Sequence, residues 1–236
     1  IKPARWLSFY AGTATGLEDT GVAPENAANR NEQLPALKTR QFDAGLQAKV
    51  AKMTVVASLF QIKKPYFAFD AGNIYTSLGT VRHRGLEISA MGDVTSRLHL
   101  LAGALLMDPV VSGEGVRAGI SGKRPVGTPK AHVRVDLTYR SALLKGLTFT
   151  AGLEYDSKRA ASSVLYAPLE GEQVFLPSRT TVDLGFRHHF KLRKLPVSLR
   201  FVVENVFDKK SWDTIASGAF RPAERRSWTL HLITDF

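Results

Sequence analysis

The sequence predicts an all-β chain: an antiparallel transmembrane β-barrel segment of about ten long strands, with short periplasmic turns and long extracellular loops, forming the last part of a larger barrel. Three observations support this fold class. Apolar residues recur at every second position over long stretches. These stretches run to about 10–13 residues, whereas soluble strands average ~5–6 and a tilted membrane strand needs ~9–11. Short and long connections also alternate along the chain.

Residues 131–141 show the alternation most clearly. Val133, Val135 and Leu137 interleave with Arg134 and Asp136, so that one face of the strand is apolar and the other is charged. Similar segments recur along the chain, and no helical period of comparable length is present. We predict ten strands, over residues 4–13, 39–50, 53–64, 79–91, 94–107, 131–141, 146–156, 179–191, 196–205 and 225–236.

The predicted connections are long and short in turn. The long ones cover residues 14–38, 65–78, 108–130, 157–178 and 206–224. A soluble sandwich has no reason to place every long loop at one end, whereas outer-membrane barrels have short periplasmic turns and longer outside loops. The polar face carries Asp, Glu, Arg and His, as a water-filled or plugged lumen does.

Composition excludes other classes. The chain has 236 residues, 44% of them hydrophobic, and a mean hydropathy of −0.09. Its longest apolar runs fall far short of the ~20 residues of a membrane helix. The absence of cysteine excludes disulfides and thiolate metal sites. The net charge of +11 is scattered between apolar segments, which favours basic loops over a nucleic-acid partner.

Motifs for catalysis or metal binding are missing from the sequence. There is no G-x-S-x-G elbow and no H-x-x-x-H pair, and His188 and His189 would point to opposite faces of a strand. Residues 113–118 fit a loose dinucleotide pattern, but no helix is predicted to follow them. We therefore predict no enzyme activity, no catalytic residue, no metal site and no cofactor.

The last segment has an apolar face made by Trp228, Leu230, Leu232 and Phe236. A terminal Phe on an amphipathic strand resembles the C-terminal assembly strand of outer-membrane proteins. This resemblance places the end of the chain at the periplasmic side, so the long loops are expected to be extracellular.

Four stretches resemble, in order, segments of one known family. They are residues 7–17 (LSFYAGTATGL), 26–45 with a proline-containing loop before TRQFDAG, 81–87 (VRHRGLE) and 203–212 (VENVFDKKSW). Asp43 stands where that family usually has Glu, and Ser211 stands where an aromatic residue is frequent. With the terminal Phe, these motifs resemble the C-terminal barrel portion of a TonB-dependent outer-membrane receptor of the ferric-siderophore type.

This resemblance implies a complete fold of ~22 strands, closed around an N-terminal plug that engages TonB. Residues 1–236 would form the C-terminal barrel portion, with the plug domain absent from this chain. The implied function is uptake of ferric siderophores across the bacterial outer membrane. The implied partners are a ferric siderophore, the TonB complex through the missing plug, outer-membrane lipid and lipopolysaccharide, and the barrel-assembly machinery. We also expect a signal peptide upstream of Ile1.

Aromatic and Arg side chains in the predicted loops are the candidate ligand-binding residues, because ferric siderophores are mostly anionic or aromatic. Their alternative role is packing within the loops. The candidates are Tyr66, Tyr75, Trp212, Phe220 and Arg221.

Two other functions stay open at this point. The chain could be an independent small outer-membrane barrel, either porin-like or a surface enzyme with clustered Asp and His at the extracellular rim. It could also be a soluble all-β binding module. Closure separates the possibilities, because a stand-alone barrel needs its first and last strands to pair.

Overall fold

The computed structural model describes residues 1–234 and contains one antiparallel sheet of ten long strands. Neighbours in the chain are neighbours in the sheet. The ten strands are β1 (Leu7–Glu18), β2 (Leu37–Val50), β3 (Met53–Phe69), β4 (Tyr75–Asp93), β5 (Leu98–Ser112), β6 (Ala131–Arg140), β7 (Leu147–Asp156), β10 (Arg179–Leu192), β11 (Leu195–Glu204) and β14 (Ser227–Thr234).

Small elements lie in the connections between these strands. A four-residue helix, α1 (Glu114–Arg117), follows β5, and a 3₁₀ turn covers Ala167–Leu169. Two short hairpins are formed by β8 (Arg159–Ala160) with β9 (Phe175–Leu176), and by β12 (Trp212–Ala216) with β13 (Ala219–Pro222).

In the described part of the chain, no helix is long and apolar enough to cross a membrane.

The register of the strands keeps one face of the sheet apolar. One row of directly opposed residues runs Phe9, Leu46, Ala57, Ile88, Ala104, Val133 and Tyr155. Large side chains on this face are open to the surroundings: Leu59 is 62% exposed and Leu184 is 47% exposed. An apolar face of this size needs an apolar environment, which lipid supplies to the outer wall of a barrel.

The connections confirm the predicted asymmetry at four of the five predicted long loops; the exception is the connection between β3 and β4. Residues 51–52, 94–97, 141–146 and 193–194 form short turns at one end of the sheet. The opposite end carries residues 19–36, 70–74, 113–130, 157–178 and 205–226.

Strands β3, β4 and β5 extend further towards the long-loop end than the sequence predicts. The connection expected over residues 65–78 shrinks to residues 70–74, because β3 runs on to Phe69 and β4 begins at Tyr75. The predicted first strand, 4–13, is likewise displaced to Leu7–Glu18. The added segments of β3 and β4 are covered by loop 19–36, where Phe67, Phe69 and Tyr75 pack, so they lack the one-sided alternation on which pattern reading depends.

The inner face of β3 to β5 is apolar as well. Phe60 and Ile62 of β3 lie on it with Leu105 and Met107 of β5, and all four line a shallow cavity of about 490 Å³. Apolar residues on both faces explain why the β3 sequence alternates poorly. A strand with this composition is typical of a sheet that is covered on both sides.

The sheet is open. Its strand order begins at β1 and ends at β14, and these two edges do not pair with each other in the described residues. The ten strands are therefore a barrel wall with two free edges rather than a closed small barrel.

Candidate functional site

Charged side chains of β6, β7 and β10 form a ladder of ion pairs on the inner face. The guanidinium of Arg134 donates to both carboxylate oxygens of Asp136, at 2.8 and 3.1 Å, and to Glu154 at 3.3 Å. Glu154 also lies 3.7 Å from a guanidinium nitrogen of Arg179. These ion pairs join three neighbouring strands near the loop end of the inner face.

The ladder continues from the wall into the loops through Asp213 of β12. Arg179 donates to the Asp213 carboxylate at 3.1 Å, and Arg159 of β8 lies 3.7 Å from the same oxygen. Arg159 is 7% exposed and also donates to the carbonyl oxygen of Trp212 at 2.9 Å. Two loops, 157–178 and 205–226, are thus fixed to the wall by buried or half-buried guanidinium groups.

A polar cavity of about 340 Å³ lies where the ladder meets the loops. Its walls come from the loop ends of β10 and β11 and from the β12–β13 hairpin. Charged groups of both signs face it, so it can bind a polar ligand through several directed contacts. The lining residues are Arg179, Thr181, Asp183, Glu204, Asn205, Asp213, Arg221, Pro222, Glu224 and Arg225.

The β12–β13 hairpin brings three of the five predicted ligand residues together. Trp212 pairs with Pro222, Asp213 with Arg221, and Thr214 with Phe220. Because alternate residues of a strand face opposite sides, Trp212 and Phe220 share one face and Arg221 lies on the other, at the polar cavity. Trp212 and Phe220 are 50% and 40% exposed, so their rings are open for stacking.

Tyr66 and Tyr75 do not lie in a loop, contrary to the prediction. Tyr66 belongs to β3 and Tyr75 to β4, and both are half-buried. The Tyr75 ring packs against Phe67 and Phe69, at centroid distances of 5.9 and 5.1 Å, beside a small core of Ala23, Ala27 and Leu34. The structure therefore assigns Tyr75 a packing role in holding loop 19–36.

Sequence analysis did not find the cluster formed by His132, Glu154 and Asp156. Their ligand atoms lie within 4.8 Å of one another at the loop end of the inner face. His132 Nδ1 is 2.8 Å from Asp156, and Glu154 is engaged by Arg134 and Arg179. Because Glu154 is paired with Arg134 and Arg179, and Asp156 lies 3.9 Å from Arg159, the cluster belongs to the ion-pair ladder. The register of His132 opposite Asp156 is the signal that could have located it.

Comparison with known families identifies the chain. Residues 2–206 match the family described as TonB dependent receptor-like, beta-barrel. The chain belongs to this family.

Individual relatives are siderophore receptors. The ferrichrome receptor FcuA of Yersinia enterocolitica is 24% identical over 100% of this chain, and the ferrioxamine B receptor of Salmonella typhimurium is 25% identical over 85% of it. The solved structure of BauA, the ferric preacinetobactin receptor from Acinetobacter baumannii, superposes with a TM-score of 0.79 at 27% identity, over 100% of this chain and 35% of BauA. This chain spans about a third of its relatives' length: 31% of FcuA and 28% of the ferrioxamine B receptor.

One motif that carried the resemblance to TonB-dependent receptors has a structural role in this chain. Asn205 is 6% exposed and donates to the carbonyl oxygens of Lys209 and Glu224, at 3.0 and 3.2 Å, while its own amide oxygen accepts from the Lys209 N–H at 2.8 Å. The backbone N–H of Asn205 donates to Asp183 at 2.8 Å. Asn205 thus joins both ends of loop 205–226 to the wall.

Asp208 also holds the two ends of loop 205–226 together. Its carboxylate accepts from Nε of Arg225 at 2.7 Å and from the backbone N–H of Arg226 at 3.2 Å. The Arg225 guanidinium, and then the Arg226 N–H, hold the pKa of Asp208 well below its usual range. Asn205 and Asp208 both have positive φ, 49° and 51°, a conformation that Asn and Asp tolerate better than other residues with a side chain.

Three of the four residues of the predicted C-terminal assembly strand lie in the part of the chain that the structure describes. Trp228, Leu230 and Leu232 lie on one face of β14, opposite Val203, Phe201 and Leu199 of β11, and all three are more than half exposed. Phe236, the fourth residue of this prediction, lies outside the described residues.

Proposed function

We propose that the protein is an outer-membrane receptor and transporter for ferric siderophores, energised through TonB. Residues 1–236 supply the C-terminal part of its barrel wall and five of its extracellular connections. The observation that carries the proposal is the polar cavity at the loop end of a family-matched barrel wall, bordered by a hairpin whose opposite face exposes Trp212 and Phe220. Relatives that cover this whole chain are receptors for ferrichrome and ferric preacinetobactin.

The β12–β13 hairpin is the proposed ligand-contacting element of this chain. Trp212 and Phe220 supply flat apolar surfaces on one face of the hairpin, and Arg221 supplies a cation on its other face, at the polar cavity. A ferric siderophore combines a delocalised chelate with an often anionic charge, so stacking and charge pairing suit it together. Tyr66, which lies on β3 rather than on this hairpin, is a second wall of the same mouth in this proposal.

Energy coupling is proposed to act through a plug domain packed inside the barrel. The apolar inner face of β3 to β5, with Phe60, Ile62, Leu105 and Met107, supports this, because exposed apolar surface of that kind favours a packed occupant over water. TonB would contact the plug, and the assembly machinery would recognise β14. The outer membrane is then the location, with the long loops extracellular.

A binding and uptake experiment on the complete receptor tests the proposal. Arg221→Ala and Trp212→Ala should each weaken binding of the cognate ferric siderophore about tenfold or more, since truncated interface anchors commonly cost that much. Arg193→Ala and Trp6→Ala, at the opposite end of the sheet, are matched controls and should bind normally. Uptake of ⁵⁵Fe should stop in cells without TonB. A receptor that takes up none of a broad panel of ferric siderophores would overturn the proposal.

A further inference from the structure

Three of the long connections meet at one buried segment of the chain. Residues 160–163, which belong to loop 157–178, contact both loop 113–130 and the β12–β13 hairpin. All but the last of these four residues are at most 1% exposed. Because a backbone polar group buried without a partner is costly, the hydrogen bonds of this segment decide which loops are held together.

Loop 113–130 is joined to segment 160–163 through its backbone. The N–H of Gly122 donates to the carbonyl oxygen of Ser163 at 2.8 Å, and the N–H of Gly127 donates to the carbonyl oxygen of Ala160 at 2.9 Å. Val126 forms a parallel β-bridge with Ala160. Segment 160–163 therefore pairs with loop 113–130 much as neighbouring strands pair in a sheet.

The β12–β13 hairpin is joined to the same segment through its turn. The N–H of Gly218 donates to the carbonyl oxygen of Ala161 at 2.9 Å. The hydroxyl oxygen of Ser217 accepts from the N–H of Ser163 at 2.8 Å and lies 2.8 Å from the Ser163 hydroxyl oxygen. A displacement of segment 160–163 would therefore displace the hairpin with it.

The side chain of Gln173 holds segment 160–163 against loop 113–130. Its amide oxygen accepts from the N–H of Arg124 at 2.9 Å, and its amide nitrogen donates to the carbonyl oxygens of Arg124 and Ser162, at 2.8 and 2.7 Å. Gln173 is 5% exposed, and a Cβ at Gly122 would lie 2.0 Å from its Cδ. One carboxamide thus joins the two loops in a fixed geometry.

We propose that Gln173 is a positioning residue for ligand binding, which fixes the β12–β13 hairpin through segment 160–163. Its burial keeps it from meeting a ligand itself. This role rests on the proposed function, in which the hairpin carries the ligand-contacting residues Trp212 and Phe220. A hairpin that is held in place before binding does not have to be ordered on binding, and such preorganisation raises affinity.

Hydrogen exchange of the complete receptor, measured by mass spectrometry without ligand, tests this role. Gln173→Ala leaves the carbonyl groups of Arg124 and Ser162 without their donor, so exchange should become about tenfold faster in loops 113–130 and 157–178. The proposal requires the same change in hairpin residues 212–222. Faster exchange confined to loop 157–178 would make Gln173 a locally structural residue and overturn the proposal.

Gln33→Ala is the matched control, because the amide nitrogen of Gln33 also donates to a loop carbonyl oxygen, that of Gly21 at 3.0 Å. Its loop, 19–36, is fixed to a different part of the chain, where the Asn73 amide donates to the carbonyl oxygen of Asn26 at 2.7 Å. Exchange in the hairpin should be unchanged in this variant. A hairpin that responds equally to both substitutions would refute a specific role of Gln173.

A second variant keeps the test decisive if Gln173→Ala fails to assemble. Ser217→Ala, at an exposed position, removes only the hydroxyl that Ser163 contacts. Exchange should become faster in the hairpin and stay unchanged in loop 113–130, because the bonds between that loop and segment 160–163 are intact. Unchanged exchange in the hairpin would contradict its attachment to segment 160–163.

Ligand affinity separates this role from the proposed function. Gln173→Ala should bind the cognate ferric siderophore about tenfold more weakly, because the loosened hairpin must be ordered on binding. Wild-type affinity in this variant would overturn the positioning role while leaving the proposed receptor function intact. A wild-type receptor that binds no ferric siderophore would refute the proposed function, whereas the coupling of the three loops, measured without ligand, would stand.

Discussion

At the scale of single residues, Asp208 and Arg225 close loop 205–226 at its base. Their ion pair depresses the pKa of Asp208. The ion pair therefore stabilises the closed loop fully above the ordinary carboxylate pKa of ~4, and this stabilisation is lost only as the pH falls through the lower pKa of Asp208 in the folded protein. We therefore expect wild-type loop 205–226 to resist proteolysis unchanged between pH 7 and pH 4. Asp208→Asn should be cleaved faster over that whole range, because an amide pairs weakly with Arg225.

Glu25→Gln, at an exposed position in loop 19–36, is the control for this measurement and should behave like the wild type. A wild-type loop that opens with a midpoint near the ordinary carboxylate pKa would show that Asp208 is not held by Arg225 in solution.

At the scale of strands, the outer face of β10 and its neighbour β7 requires apolar side chains, whereas their inner face accepts charged ones. Leu184 of β10 is 47% exposed on the apolar face. Thr150 of β7 pairs with Gly185, the residue after Leu184, and therefore lies on the inner face. Leu184→Arg should destabilise the membrane-inserted wall by ~2–4 kcal/mol, since it places a cation in the lipid. Thr150→Arg, the matched control, adds the same side chain to the inner face, away from lipid, and should assemble normally. Heat-modifiable mobility of the outer-membrane fraction measures both, and equal assembly of the two variants would refute the assignment of the faces.

The strands that the sequence predicts best are those whose alternation is enforced by lipid on one side and charge on the other. Residues 131–141 and 179–191 were predicted within one residue of β6 and β10. The loop ends of β3 and β4 were missed, because loop 19–36 packs against them and the one-sided alternation is lost there. The β12–β13 hairpin was missed because it depends on contacts from distant residues, Arg159 and Arg179, to Asp213. Trp212, Phe220 and Arg221 could therefore be chosen by residue type, but their sharing of one hairpin could not.

At the scale of the whole molecule, the two free edges of the sheet determine whether the chain can exist alone. Edge strands β1 and β14 leave backbone N–H and C=O groups unpaired, and each such group costs several kcal/mol in hydrocarbon. Residues 1–236 refolded in detergent should therefore aggregate or remain unfolded, whereas the complete receptor should give a monomer that shifts in mobility on heating. A monomeric, protease-resistant, heat-modifiable species from residues 1–236 alone would contradict this.

Residues 205–211 and 223–226 form a neck that joins the β12–β13 hairpin to the wall. The backbone N–H of Ala223 donates to the carbonyl oxygen of Ser211 at 3.0 Å, just outside β12 and β13, and Asn205 and Asp208 close the loop below this point. The eleven residues from Trp212 to Pro222 can then be treated as an exchangeable cassette. Grafting the corresponding stretch of a related protein between Ser211 and Ala223 leaves the contacts of Asn205 and Asp208 in place, and the graft must keep the carboxylate of Asp213 that Arg159 and Arg179 contact. In the proposed receptor, such an exchange would change the ligand-contacting hairpin without rebuilding the barrel.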